Sequence, residues 1–199
     1  TYIDGLFQPP IVSTLSMYDV NDVQVLRGPQ GTFAGANSTG GAIMINSRRP
    51  EIGEAVNGYV NAGLGDYNAF NVQGAVSLPL TDTLAVRAAL NTSNRDSFYN
   101  NVGSANTKAG SLDETSGRIS TIWTPVDALE VYAKYEKAEI NTGGYAYRPI
   151  VDTAYADGRT GDIRDLDYNT PTANDAQAET LLIDARYTFA NGIALRLLS

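Results

Sequence analysis

The chain has 199 residues, enough for one ordinary domain, with 43% hydrophobic residues, 18% charged residues and a formal net charge of −8. It contains no histidine and no cysteine, which removes Ser-His-Asp catalysis, imidazole and thiolate metal sites, and disulfides. Lys and Arg are scattered without a basic stripe, which argues against nucleic acid as a partner, and no run of about 18 apolar residues exists to form a transmembrane helix. Low charge with 19 Gly and 12 Tyr suits a β-rich chain with one lipid face and equally a soluble β-sandwich.

Thr1-Tyr2-Ile3-Asp4-Gly5 reads as a strand entering a turn, not as an export signal. The following region has mixed texture. Asp22 to Leu26 and Gly41 to Asn46 read as short strands, and Arg27-Gly28-Pro29-Gln30-Gly31-Thr32 between them reads as a turn. Pro29 fixes its own φ there, and Gly28 and Gly31 accept positive φ. Arg48-Arg49-Pro50 suits a boundary, so the division is expected between residues 1–52 and residues 53–199.

Beyond the boundary the pattern has period two. Val56, Gly58, Val60, Ala62 and Leu64 share one face, as do Val72, Gly74, Val76, Leu78 and Leu80. Leu84, Val86, Ala88 and Leu90 oppose Ala85, Arg87, Ala89 and Asn91. Gly117, Ile119, Thr121 and Trp123 oppose Arg118, Ser120, Ile122 and Thr124. Leu129, Val131, Ala133 and Tyr135 oppose Glu130, Tyr132, Lys134 and Glu136. Leu181, Ile183, Ala185, Tyr187 and Phe189 oppose Thr180, Leu182, Asp184, Arg186 and Thr188. Ile193, Leu195 and Leu197 begin a seventh segment, which the end of the chain interrupts. Alternate side chains of a strand point to opposite faces, so about seven strands with one apolar and one polar face are expected. Ile122 and Leu182 are the exceptions on the polar face.

The connections alternate in length. Pro79-Leu80-Thr81-Asp82, Thr124-Pro125-Val126-Asp127 and Ala190-Asn191-Gly192 are tight. Residues 97–113 and 139–176 are long and polar, and Gly65-Asp66-Tyr67-Asn68 is short but falls in their phase. Up-and-down strands then place every tight turn on one side, the asymmetry of an outer-membrane barrel with short periplasmic turns and longer outer loops. Trp123, Tyr187 and Phe189 precede tight turns on the apolar face, where an interfacial aromatic girdle is expected.

Asp22-Val23-Gln24-Val25-Leu26-Arg27-Gly28-Pro29-Gln30-Gly31-Thr32, then Gly35, then Asn37-Ser38-Thr39-Gly40-Gly41-Ala42-Ile43, resembles the end of the plug domain of TonB-dependent outer-membrane receptors. Asn46 and Arg48-Arg49-Pro50 follow as in that family, and Tyr2-Ile3-Asp4-Gly5 looks like the preceding plug strand. One departure is Ala34-Gly35-Ala36-Asn37, where the family commonly has aromatic-Gly-Arg-Asn. Position 36 therefore lacks an arginine of the kind the family sets against barrel carboxylates, although Arg27 remains. The resemblance implies an all-β fold, with the end of a plug over 1–52 and the first part of a 22-stranded transmembrane barrel over 53–199. It also implies active, TonB-driven uptake of a scarce nutrient across the bacterial outer membrane. That nutrient would be a ferric siderophore, a cobalamin-like compound or an oligosaccharide. TonB, the outer-membrane lipid and the nutrient are the implied partners, with no catalytic residue, cofactor or metal. The segment that TonB grasps would precede Thr1.

Within this reading Arg27, Gly28, Pro29, Gly31, Gly35, Asn37, Gly40 and Gly41 form the plug motif, with a structural or gating role. Tyr145, Tyr147, Tyr155 and Tyr168 in the long acidic loop are candidate ligand-facing aromatics. Arg87, Arg118, Glu130, Lys134, Glu136, Asp184 and Arg186 would face the lumen, there to solvate the wall or meet the plug. Asp157, Asp162, Asp165, Asp167 and Asp175 lack the spacing of a calcium loop and read as solvated. Gly35 to Gly41 lacks the Gly-Lys-Ser/Thr ending of a phosphate loop. A passive porin, an outer-membrane enzyme (protease or acyltransferase), hard to build without histidine, and a soluble β-sandwich binding or adhesion module are the alternatives. A porin would share the strands without a reason for the motif, and a sandwich would not explain the one-sided turns.

Overall fold

The structure, a computed structural model, describes residues 1–8, 17–29, 31, 40–147 and 162–199. Thirteen strands are present among them: β1 (Tyr2–Ile3), β2 (Leu6–Phe7), β3 (Val20–Arg27), β4 (Gly41–Ser47), β5 (Asn57–Gly65), β6 (Ala69–Thr81), β7 (Leu84–Arg95), β8 (Asn100–Asn101), β9 (Leu112–Val126), β10 (Leu129–Thr142), β11 (Asp165–Leu166), β12 (Asn174–Thr188) and β13 (Ala194–Leu198). They form three sheets. The largest is a seven-stranded meander in the order β13-β12-β10-β9-β7-β6-β5, antiparallel throughout. The second is a small sheet in the order β2-β1-β4-β3, with β1 parallel to β4. The third is a two-stranded parallel ladder of β8 and β11.

The expected alternation is present, and its burial is inverted relative to a soluble protein. On the meander the polar face is the buried one: Arg87, Asn91, Ser116, Arg118, Ser120, Tyr132, Lys134 and Asp184 are all buried. The apolar face is open, with Leu64 92% and Leu181 66% exposed and Val60, Leu90, Ile119, Tyr135 and Leu195 also exposed. A soluble sheet hides its apolar face in a core, whereas a barrel wall turns it to hydrocarbon and its polar face to the lumen. A soluble sandwich therefore does not account for this wall. Strands β7, β9, β10 and β12 have 12, 15, 14 and 15 residues. A tilted strand crosses the hydrocarbon in about 9–11, so their ends stand clear of it.

The tight connections Thr81 to Leu84, Val126 to Leu129 and Thr188 to Ala194 lie on one side of the wall. Trp123, Tyr187 and Phe189 sit beside them, on the open face. On the other side, Asp66 to Ala69 closes with Ala69 N–H donating to Asp66 C=O at 3.2 Å, and Tyr67 (φ 60°) and Asn68 (φ 54°) both occupy the left-handed region. That is a type I′ turn, whose twist matches a hairpin but which strains a tyrosine. Compensating bonds hold it. Arg164 Nη1 donates to the Tyr67 hydroxyl at 2.8 Å, Asn68 Nδ2 to Asp96 at 2.7 Å, and Asp96 N–H to the Tyr67 carbonyl at 2.9 Å.

The two long connections, expected as plain polar loops, are joined to each other. β8 pairs with β11, and the Asn101 amide donates to the Ala105 and Tyr168 carbonyls (2.7 and 3.1 Å) while its oxygen accepts from Tyr168 N–H (2.7 Å). Backbone lies directly on backbone at Gly143, where an added Cβ would fall 1.7 Å from the Lys108 carbonyl oxygen. Local alternation carries no signal for such a long-range ladder of two residues per strand.

The lipid-facing assignment predicts an asymmetry between the two faces. Ile183→Arg, on the open face, is expected to destabilise the full-length protein in lipid bilayers by about 2–4 kcal/mol if it lies near the midplane. Ser93→Arg, on the partly polar inner face, is expected to cost less. Denaturant titration of both variants in vesicles checks this, and equal losses would contradict the assignment.

Candidate functional site

The small sheet lies against the polar face of the wall, and charged side chains join the two. Asp4 follows β1 in a tight turn (φ 50°), and Asp19 precedes β3 with φ 48°. Aspartate tolerates this region better than most residues, yet both positions still carry strain. Each carboxylate meets a cation from a different wall strand. Arg87 on β7 grips Asp19 with two bonds, Nε to Oδ2 at 2.8 Å and Nη2 to Oδ1 at 2.5 Å, and its Nη1 donates to Ser77 at 2.9 Å. The Arg87 and Asp19 side chains are 2% and 1% exposed. Lys134 on β10 donates to Asp4 Oδ2, and these side chains are 1% and 2% exposed.

The network extends in both directions. Arg118 on β9 donates to the Tyr18 carbonyl at 2.8 Å and the Asp19 carbonyl at 3.3 Å, and its guanidinium carbon stands 4.6 Å from the centre of the Tyr18 ring. Glu136 bridges the wall cations at 3.5 Å from both Arg118 and Lys134. Arg49, in the segment leading from the small sheet to the wall, donates to Asp184 on β12 at 3.0 Å and stacks 4.1 Å above the Tyr132 ring. Arg196 on β13 also holds Asp184, with bonds of 2.7 and 2.9 Å. Leu182, the apolar exception on the polar face, is fully buried beside Ile3, Leu6 and Ile45 of the small sheet. These four apolar side chains line one cavity between the two sheets.

Titration follows this geometry. Burial pushes the Asp4 carboxyl up, but the Lys134 charge and hydrogen bond, with the N–H and hydroxyl of Ser47, bring it below the ordinary carboxylate range. Burial, helped by Glu136, pushes the Tyr18 hydroxyl well above its ordinary value, so it stays protonated.

The lock differs from the sequence expectation. Arg27 is exposed at the end of β3 and, among the described residues, bonds to no wall residue. The small sheet contributes mainly carboxylates and the wall mainly cations, opposite to the arginine-on-plug pairing common in the resembled family, with Arg49–Asp184 in that family's sense; Arg87, Arg118, Lys134 and Asp184 meet the small sheet or the segment after it. Of the motif residues, Gly28 (φ 85°) and Gly41 (φ 143°) use positive φ; a Cβ at Gly41 would come 2.4 Å from the Leu26 carbonyl oxygen. Pro29, Gly31 and Gly40 are described beside them, and Gly28 N–H donates to the Gly40 carbonyl at 3.3 Å. Gly35 and Asn37 lie outside the described residues. Asp4 and Asp19 were missed, because nothing local marks a turn aspartate as the partner of a residue 130 or 68 positions away.

Three of the four candidate tyrosines meet. Tyr145, Tyr147 and Tyr168, with Pro171 and Thr172, line an open cavity of about 540 Å³ on the long-loop side. The Tyr145 and Tyr147 rings are 6.4 Å apart and highly exposed. The Tyr168 hydroxyl accepts from Tyr147 N–H and donates to its carbonyl. Tyr155 lies outside the described residues. Glu130 and Arg186 face each other across β10 and β12 and line a second cavity, with Arg49, Asp184 and Arg196.

No family model matches the chain. The ferric yersiniabactin uptake receptor FyuA of Yersinia pestis superimposes with a TM-score of 0.82 at 23% identity, over 95% of this chain and 29% of that one. The outer-membrane ferripyoverdine receptor of Pseudomonas aeruginosa does so with a TM-score of 0.79 at 18% identity, over 99% and 26%. The fold is that of a TonB-dependent outer-membrane receptor. In sequence, the pesticin receptor of Yersinia pestis is 32% identical over 83 residues, 42% of this chain and 12% of that protein. The chain thus spans less than a third of the receptors it matches in structure. By this likeness of fold the small sheet corresponds to the end of a receptor's plug and the meander to one stretch of its barrel wall.

Lys134→Met is expected to destabilise the folded full-length protein by about 3–5 kcal/mol, because it leaves a buried carboxylate without its cation. The Asp4 value is depressed by folding. Its contribution is therefore complete above the ordinary carboxylate value of about 4 and is lost as pH falls through the lower folded value. Denaturant unfolding from pH 7 to pH 3 should show this acid loss in the native protein, and Lys134→Met should lack it.

Proposed function

We propose that the full-length receptor takes up a ferric siderophore across the bacterial outer membrane in a TonB-dependent cycle. The observation that carries this reading is a wall with an open apolar face whose polar face is covered by a plug sheet and bound to it by buried ion pairs. A passive porin has no use for a plug held in this way. The ferric yersiniabactin and ferripyoverdine receptors share the fold, which favours a siderophore over a cobalamin-like compound or an oligosaccharide.

In this reading residues 1–52 end the plug and residues 53–199 begin the barrel. The protein resides in the outer membrane, with the tight turns in the periplasm and the long loops outside. Tyr145, Tyr147 and Tyr168 receive the ligand at the outer surface, where aromatic faces suit the rings and apolar arms of an iron chelate. TonB, energised by the inner membrane, acts on the plug, part of which rearranges and lets the chelate through. Gly28 and Gly41, at the ends of β3 and β4, take the positive φ that turns the chain there. The cycle needs binding and movement alone, with no covalent chemistry and no resident cofactor.

Cells that lack their own siderophore receptors and express the full-length protein are expected to accumulate radiolabelled iron from ferric yersiniabactin or ferripyoverdine. A TonB-deficient strain should accumulate none, and uptake indifferent to TonB would support the porin instead. Replacing Tyr145 and Tyr147 together by Ala is expected to weaken half-saturation about tenfold. That corresponds to about 1.4 kcal/mol, the scale of one or two aromatic contacts. Unchanged half-saturation would remove these rings from the ligand site.

A further inference from the structure

We propose that the cavity lined by Tyr145, Tyr147 and Tyr168 is built for a ferric chelate that carries planar rings and no net negative charge, and that it rejects trianionic chelates of the tris-catecholate class. This ligand class rests on the uptake reading for its setting and on the chemistry of the cavity wall for its content.

The wall supplies rings and no charge. Among the described residues no Lys, Arg, Asp or Glu lines it, and the three tyrosines stand with Pro171, Thr172 and other uncharged neighbours. Arg164 of the same connection turns instead to Asp162 and to the Tyr67 hydroxyl, at 3.5 and 2.8 Å. Arg95 turns to the Gly110 carbonyl at 2.9 Å and to the Phe98 ring. The Tyr145 and Tyr147 ring planes meet at 54°, so neither lies flat on the other, and both are highly exposed. Each keeps ring surface open to a guest. The face of an aromatic ring is the negative side of its quadrupole, which suits a neutral or cationic ring and repels an anion laid on it.

Backbone N–H groups can hold an anion without any cation, but four of those on the wall are already spent within the protein. Gly144 N–H donates to the Thr142 hydroxyl at 3.4 Å, Tyr147 N–H to the Tyr168 hydroxyl, Tyr168 N–H to Asn101 Oδ1 at 2.7 Å and Thr172 N–H to the Thr107 hydroxyl at 3.2 Å. The Tyr168 hydroxyl donates in turn to the Tyr147 carbonyl at 3.0 Å, so this residue presents its ring and not its donor. The connection that carries the cavity adds repulsion, since residues 139–176 hold seven Asp or Glu against three Arg. A trianionic chelate entering here gives up hydration and gains neither donor nor counter-charge. A neutral, ring-bearing chelate loses less hydration and gains aromatic contact.

Synthetic ferric complexes built on one tripodal scaffold test this with the full-length receptor. A tris-hydroxypyridinone complex is neutral and ringed, a tris-catecholate complex is ringed and trianionic, and a tris-hydroxamate complex is neutral without rings. Equilibrium binding of the radiolabelled complexes at low salt is expected to be about tenfold tighter, or more, for the hydroxypyridinone than for either of the others. Raising the salt to about 0.5 M should narrow the gap to the catecholate, because exposed charges are then screened within a few ångströms, and should leave the gap to the hydroxamate in place. Asn174→Lys, which adds a cation to the cavity wall, should also narrow the catecholate gap about threefold and leave the hydroxamate gap unchanged. A tris-catecholate bound as tightly as the hydroxypyridinone, or more tightly, would overturn this ligand class and leave the uptake reading standing. So would refusal of the hydroxypyridinone by a receptor that accepts ferric yersiniabactin or ferripyoverdine. If no ferric chelate binds at all, the uptake reading falls and this ligand class with it.

Discussion

The rest of the structure depends on one constraint: a sheet that faces hydrocarbon must hold its polar side chains on its other face and supply them with partners there. Water can do this in a wide channel. In this protein a second sheet does much of it, and the wall cations Arg87, Arg118 and Lys134 receive carboxylates, carbonyls and a bridging Glu136 in return. Burial of the polar face and attachment of the plug are thus one event. Each ion pair alone is a weak argument for stability, since desolvation offsets much of the attraction. Their number and fixed spacing give them another role, to define one position of the plug on the wall.

The same logic explains details that look arbitrary along the chain. Leu182, apolar among polar neighbours, is fully buried and lines one cavity with Ile3, Leu6 and Ile45 of the small sheet. Tyr132 is buried in the wall under the guanidinium of Arg49, where the segment leaving the plug reaches the barrel. Strained residues gather at the contacts, Asp4 and Asp19 in the small sheet's turns and Tyr67 with Asn68 on the long-loop side, and each is held by bonds from elsewhere. On the long-loop side, the loop segments tied together by Asn101, Gly143 and Thr172 present Tyr145 and Tyr147 on a supported surface.

Much of this was legible from residue order alone. Period-two alternation is a local consequence of strand geometry, so seven wall strands, their two faces and the one-sided tight turns could be read from runs such as Leu84 to Asn91. Gly28 was likewise legible as a position of positive φ, since a glycine acts through its own backbone. The polarity of the plug–wall contact was not legible. Asp4 in a turn and Asp19 ahead of a strand look like ordinary turn residues. Their partners are set by how one sheet rests on another, which depends on every residue between them. The small ladder of β8 and β11 escaped for the same reason.

The sequence by itself determined the strands, which face of each meets lipid and which side carries the short turns, because side-chain alternation and turn chemistry act over a few residues. Only the tertiary structure decided that carboxylates of the plug answer cations of the wall, that Arg27 stays out of that lattice, and that three tyrosines of one loop converge. Pairing between residues tens of positions apart is fixed by the packing of whole sheets, and no local pattern encodes it.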